Sequence, residues 1–129
     1  MQLALARPPV TLELELCRLN GQTLQFHLPF ADEVSALVLK SLATRARSKD
    51  TDLSDVWRCL EIALAAGLGA ADFAKGARAE SAQIVRELFG RRDGLAMVAM
   101  AAEQHLSERA ADERFTRIRA LIARVLGPT

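Results

Sequence analysis

The sequence predicts an α+β fold: an N-terminal β-hairpin that forms part of a small sheet, followed by a bundle of about five helices. Three observations lead there. Over residues 10–16 and again over 24–28 apolar side chains recur at every second position, the period of a half-buried strand, and from Asp32 onward they recur at every third and fourth, the period of an amphipathic helix. The composition agrees with that switch: alanine, leucine and arginine dominate, tyrosine is absent and aromatics make up only 5%, and the abundant side chains lose little rotamer freedom in a helix. Length sets the scale, because 129 residues fill one compact domain and leave no room for a second. Residues 1–30 are its hairpin region and 31–129 its helical region.

In the first strand Val10, Leu12, Leu14 and Leu16 share one face, and Thr11, Glu13, Glu15 and Cys17 share the other. Asn20-Gly21 follows, a pair at ease with positive φ that predicts a type I′ turn. Leu24, Phe26 and Leu28 then alternate with polar residues in the returning strand, which Pro29 closes. Two strands alone are marginal in water, so the hairpin is expected to join a larger sheet or to lie on the helices.

Asp32 stands where an N-cap belongs, ahead of Val34, Leu37, Val38, Leu42 and Ala43 at helical spacing, and this helix is expected to fray near Arg47. The next helix begins near Asp52, carries Leu53, Val56, Trp57, Leu60 and Leu64 as its apolar stripe, and stops at Gly67. The segment "GLGAADFAKGARAESAQIVRELFG" predicts a short helical turn, a break near Gly76 and a helix ending at Gly90. "DGLAMVAMAAEQHL" is apolar enough to be central to the bundle, and the last helix presents Phe115, Ile118, Leu121, Ile122 and Val125 inward.

Several functional classes drop out on chemical grounds. A net charge of +1 gives no bulk electrostatic reason to bind nucleic acid, and no run approaches the ~20 apolar residues of a spanning helix, so no membrane partner is expected. The apolar start of "MQLALARPPV" is cut off by Arg7 and two prolines, so no signal peptide is expected; a cytoplasmic setting with Cys17 and Cys59 as free thiols follows. His27 and His105 have no zinc-ligand spacing, and neither cysteine has the histidine or Cys-x-x-Cys neighbour that activates a thiolate. Arg109, Arg114, Arg117, Arg119 and Arg124 give the last helix a modest basic face suited to RNA phosphates, although a solvated helix surface accounts for them as well.

Lys40 needs a partner, because it interrupts the apolar helical run "ALVLKSLA", where an ammonium must reach water or a carboxylate. Ala43 and Arg47 follow, then a short polar loop, then Asp52 and Asp55 opening the next helix. Helices joined by so short a loop run back alongside each other, which returns the aspartates towards the lysine.

In these residues the chain resembles the AbiEii-type nucleotidyltransferases, abortive-infection toxins of toxin-antitoxin systems with a polymerase-β-like core. That family carries a lysine on a helix, a small residue three positions on, often an arginine seven on, and an aspartate twelve on within "(K/R)-D-x-x-D-(L/V)-(Y/W)". Lys40, Ala43, Arg47, Asp52, Asp55, Val56 and Trp57 fall at those offsets, with Thr51 in place of the basic residue. The match covers Ala36 to Gly67, and the flanking regions only in outline. The resemblance implies a chain that forms the C-terminal part of such an enzyme. It assigns Lys40 to the phosphates of a nucleoside triphosphate and Asp52 to holding the lysine and shaping the pocket, with Arg47 and Asp55 at the substrate, although Asp55 serves equally as a helix-start residue that interacts with the helix dipole and backbone NH groups. An RNA acceptor, a cognate antitoxin and Mg2+ are implied with it.

One departure matters. The family's metal motif, "G-S…D-x-D", belongs ahead of this region, yet no aspartate occurs before Asp32. Without paired carboxylates to hold magnesium, the chain is expected to be inactive by itself. Glu13 or Glu15 would correspond to the third carboxylate, but glutamates on a strand's wet face are ordinarily solvated. "TRARSKDTDLSD" also resembles the signature of minimal nucleotidyltransferases, which would make Asp50 and Asp52 metal ligands on a strand; the helical stripe from Leu53 to Leu64 argues against this. A second class remains, a non-enzymatic interaction module in which Lys40 and the aspartates form a structural ion pair and the hairpin edge binds a partner. Unpaired hairpin edges also lead us to expect a homodimer.

Overall fold

The computed structural model describes residues 10–46 and 50–128. Arg47, the residue at which the first helix was expected to fray and a candidate substrate contact, lies outside them, as does the N-terminal stretch read for a signal peptide. The fold is α+β: a two-stranded antiparallel hairpin followed by five α-helices.

Strand β1 (Val10–Cys17) pairs with β2 (Thr23–Phe30) in a register that sets Leu12 opposite Leu28, Leu14 opposite Phe26 and Leu16 opposite Leu24. Because side chains alternate across a strand, that register gathers Val10, Leu12, Leu14, Leu16, Leu24, Phe26, Leu28 and Phe30 on one face and leaves Glu13, Glu15, Gln25 and His27 on the other. β2 continues through Pro29 to Phe30 rather than ending at the proline.

The turn differs from the type I′ turn expected. Gly21 N donates to Arg18 O at 3.0 Å and Arg18 N to Gln22 O at 2.8 Å, so the tight turn spans Arg18 to Gly21 and centres on Leu19 and Asn20. Only Gly21 takes positive φ, at 84°. The Asn20 side chain accepts from Gln22 N at 3.0 Å, a local bond that fixes the asparagine without a left-handed backbone.

The helical body comprises α1 (Glu33–Ala46), α2 (Asp50–Ala65), a 3₁₀ turn at Ala70–Phe73, α3 (Gly76–Leu88), α4 (Leu95–Glu103) and α5 (Glu108–Leu121), which runs into a π turn at Ile122–Leu126. Asp32 caps α1, its Oδ1 accepting from Ser35 N at 2.8 Å. α2 ends before Gly67, whose φ of 74° takes the chain out of the helix. Val34, Leu37 and Val38 of α1 meet Val56, Leu60 and Ala63 of α2 in one core that Val85, Phe89, Met97, Met100, Ile118 and Leu121 complete. A hydrogen bond between the buried hydroxyls of Ser41 and Ser81, 2.7 Å long, ties α1 to α3 inside that core.

Two expectations about packing need correction. α4 is not wholly interior: Ala96, Met97 and Met100 are buried, whereas Leu95 and Val98 face solvent. Its nine residues pack chiefly on α2, and one contact face can bury only one side of a helix. The hairpin, expected to lie on helices or in a larger sheet, does neither among the described residues. Its sheet has two strands, and Leu12, Leu16, Leu24, Phe26 and Leu28 stay exposed.

Candidate functional site

The first two turns of α2 return alongside the second half of α1. Leu37, Val38 and Ser41 hold α1 in the core, which leaves Lys40, on the neighbouring stripe, at the boundary with solvent. Its ammonium donates to Asp55 Oδ2 at 2.7 Å and stands 3.8 Å from Asp52 Oδ1. The two carboxylates differ in setting, for Asp52 is buried whereas Asp55 is about one-third exposed. Asp55 also accepts from Arg58 Nη1 at 3.2 Å, one helical turn on.

Lys40 therefore meets both aspartates named from the sequence, with the direct hydrogen bond going to Asp55 and the buried Asp52 set behind it. The electrostatics follow from this geometry. The hydrogen bond to Asp55, reinforced by the charge of Asp52, raises the Lys40 pKa above the ordinary lysine value against some loss of solvation. Lys40, and after it Arg58, hold the Asp55 carboxyl below the usual range. Cys59, half-buried beside them, has its thiol pushed up by burial, which makes it a poor nucleophile.

Arg58 is the member of this cluster that the sequence reading missed; its only signal was the i, i+3 spacing from Asp55, which is shared by many solvated helix pairs.

The other side of α2 carries a second polar array. Ser54 Oγ, fully buried, donates to Glu103 and accepts from Gln104 Nε2 at 2.8 Å, and Gln104 Oε1 accepts in turn from Arg114 Nη1 at 2.5 Å. The Arg114 guanidinium lies 3.6 Å from the centre of the Trp57 ring. Arg117 forks onto Glu61 with 2.8 Å and 2.7 Å contacts, and Trp57 Nε1 donates to the same carboxylate at 3.3 Å. The basic face proposed for RNA is thus largely spoken for: Arg109 pairs with Glu113, Arg114 stacks on Trp57 and Arg117 binds Glu61.

Among the described residues no group of three or more His, Cys, Asp or Glu side chains could hold a metal ion. Asp52 lies on a helix, and Asp50 is the first residue of that helix, so neither is on the strand that the metal-ligand alternative requires. Glu13 and Glu15 sit on the exposed polar face of the hairpin. Also among the described residues, no helix is long and apolar enough to cross a membrane. No protein-family model, curated protein or solved structure matches the chain.

Chemically, the cluster offers an ammonium that is ionised, oriented by two carboxylates and open to solvent on one side, with a guanidinium one turn away. Such a group contacts an anion as a point charge. It has no base poised for proton transfer and no activated nucleophile.

Proposed function

We propose that the chain is the nucleotide-facing, helical C-terminal portion of an AbiEii-like nucleotidyltransferase, in which Lys40 contacts the triphosphate while Asp55 and Asp52 hold it ionised and aimed. The observation that carries this reading is the meeting of Lys40 with both aspartates, 2.7 Å and 3.8 Å away, at the offsets that define the resemblance. Arg47, seven positions beyond Lys40, is the second phosphate contact in this reading. Transfer of the nucleotide to an RNA acceptor, and control by an antitoxin, belong to the assembled enzyme. Magnesium would be held by the "G-S…D-x-D" carboxylates, which the residues ahead of Lys40 do not provide, so the isolated chain binds nucleotide without transferring it.

The test is calorimetric titration of the chain with a nucleoside triphosphate, alongside Lys40→Ala and a labelled-RNA transfer assay. Binding that weakens by about tenfold in Lys40→Ala, the scale of one charged hydrogen bond, with no transfer by either protein, is the expected outcome. Absence of nucleotide binding by the wild-type chain would remove the reading.

A second reading, a non-enzymatic interaction module, is favoured by one observation: the exposed apolar face of the hairpin. In that case the Lys40 cluster is structural, and its variants change stability without touching any nucleotide affinity.

A further inference from the structure

We infer that the apolar face of the hairpin is a self-association surface, covered by the same face of a second copy of this chain. The inference concerns the face of the ribbon rather than its edge, and it stands independently of the nucleotide reading.

Four features support it. The cross-strand register places four consecutive apolar pairs, from Val10 with Phe30 to Leu16 with Leu24, on one side of the ribbon. These side chains are bare: the relative exposure of Phe26 is 37% and that of Leu16 is 51%, with Val10, Leu12, Leu24, Leu28 and Phe30 between them.

Area is the second feature. Seven large apolar residues at that exposure leave roughly 500 Å² uncovered per copy, near the top of what a monomer ordinarily shows in one patch. Two such faces in contact remove about 1,000 Å² from water, the lower bound for a biological interface and the range of weak, reversible pairs. Edge pairing would satisfy backbone groups but leave this surface wet, so the face decides the geometry.

Shape and charge supply the rest. Both aromatic residues of the face, Phe26 and Phe30, lie on β2, whereas β1 contributes only Val10 and leucines. A two-fold axis lying between the two faces and parallel to the strands lays β2 of one copy over β1 of the other, so aromatic rings meet aliphatic side chains at the ~10 Å spacing of packed sheets. Glu13, Glu15 and His27 point to the opposite side, so closure buries no charge.

The experiment is sedimentation velocity on the full chain across a concentration series, with Phe26→Lys on the face and Gln25→Lys on the opposite side. The expected result is a reversible dimer in the wild type and in Gln25→Lys. In Phe26→Lys the dissociation constant rises by more than about tenfold, while the helical circular dichroism and thermal midpoint stay unchanged because no residue of the face belongs to the helical core. A wild type that stays monomeric into the millimolar range overturns the inference and leaves the face to a different polypeptide. Equal dissociation constants for Phe26→Lys and wild type also overturn it, and place any dimer at the edge or on the helices. Loss of helical signal in Phe26→Lys would overturn it too, by showing that the face packs within its own chain.

Discussion

Asp55 holds two cations at once, its Oδ2 accepting from Lys40 at 2.7 Å and its Oδ1 from Arg58 at 3.2 Å. Each oxygen thus has its own partner, and one aspartate joins α1 to α2 while tying down a side chain of its own helix. The pull of these two cations makes Asp55 a pH-sensitive member of the cluster.

The folded-state pKa of Asp55 lies below the ordinary aspartate value of 3.8. The stability it contributes is therefore complete above that value and is lost as the pH falls through the lower, folded one. Asp55→Asn should cost about 1 kcal/mol or less at neutral pH, because the pair is partly exposed. Denaturant unfolding of wild type and variant should converge under strongly acidic conditions. Lys40 has the opposite sign: its pKa is raised above 10.5, so its share is present below that value and lost as the pH rises through the folded one.

Removing Lys40 should cost more than removing Asp55. Lys40→Met leaves Asp52 buried and Asp55 close by without the ammonium between them, an arrangement worth roughly 1–2 kcal/mol of destabilisation after allowing for the exposure of the lysine. A double-mutant cycle of Lys40→Met with Asp55→Asn should return a coupling of about 0.5–1 kcal/mol. A coupling of zero would show that the two side chains do not interact in solution.

Gly127 should resist any side chain. Its φ is 83°, and a Cβ there would lie 2.9 Å from the Cβ of Ala70. Arg86 meanwhile donates to the carbonyl of Leu126 at 2.6 Å, fixing the chain just before the glycine. Gly127→Ala is expected to lower stability by about 1–2 kcal/mol, measured as a shift in denaturation midpoint.

Trp57 is the sole tryptophan, so its fluorescence reports the guanidinium stacked on it. Arg114→Leu should alter its emission and cost about 0.5–1 kcal/mol, the scale of a partly exposed cation–π contact. Unchanged emission would mean that the stack does not persist in solution.

What could be read from the sequence was what depends on period. The alternation from Val10 to Leu16 and the spacing of Leu53, Val56 and Leu60 fix the backbone geometry locally, and both elements formed. The capping role of Asp32 was legible for the same reason, since its partner Ser35 N lies three residues away. The turn was misread because a side chain competes with the backbone there: Asn20 binds Gln22 N instead of adopting positive φ. The exposure of Leu95 and Val98 was not legible, because a helix apolar on all sides does not reveal which side its neighbours cover. At the candidate site, spacing brought Lys40 to α2 but could not choose between Asp52 and Asp55, which lie nearly one helical turn apart and both face the lysine. The bare hairpin face was legible as a pattern; that no helix among the described residues covers it is a tertiary fact.

The hairpin adds nothing to the helical core, whose first member is Val34, and this divides the molecule into two regimes of hydrogen exchange. Amides around Val56, Val85 and Ile118 can exchange only when the whole core opens. Those that bridge β1 and β2 need only the ribbon to part, a far cheaper excursion when its apolar side is wet. Deuterium should therefore enter residues 10–30 rapidly in dilute solution, and more slowly as concentration rises, while uptake in the helices stays independent of concentration.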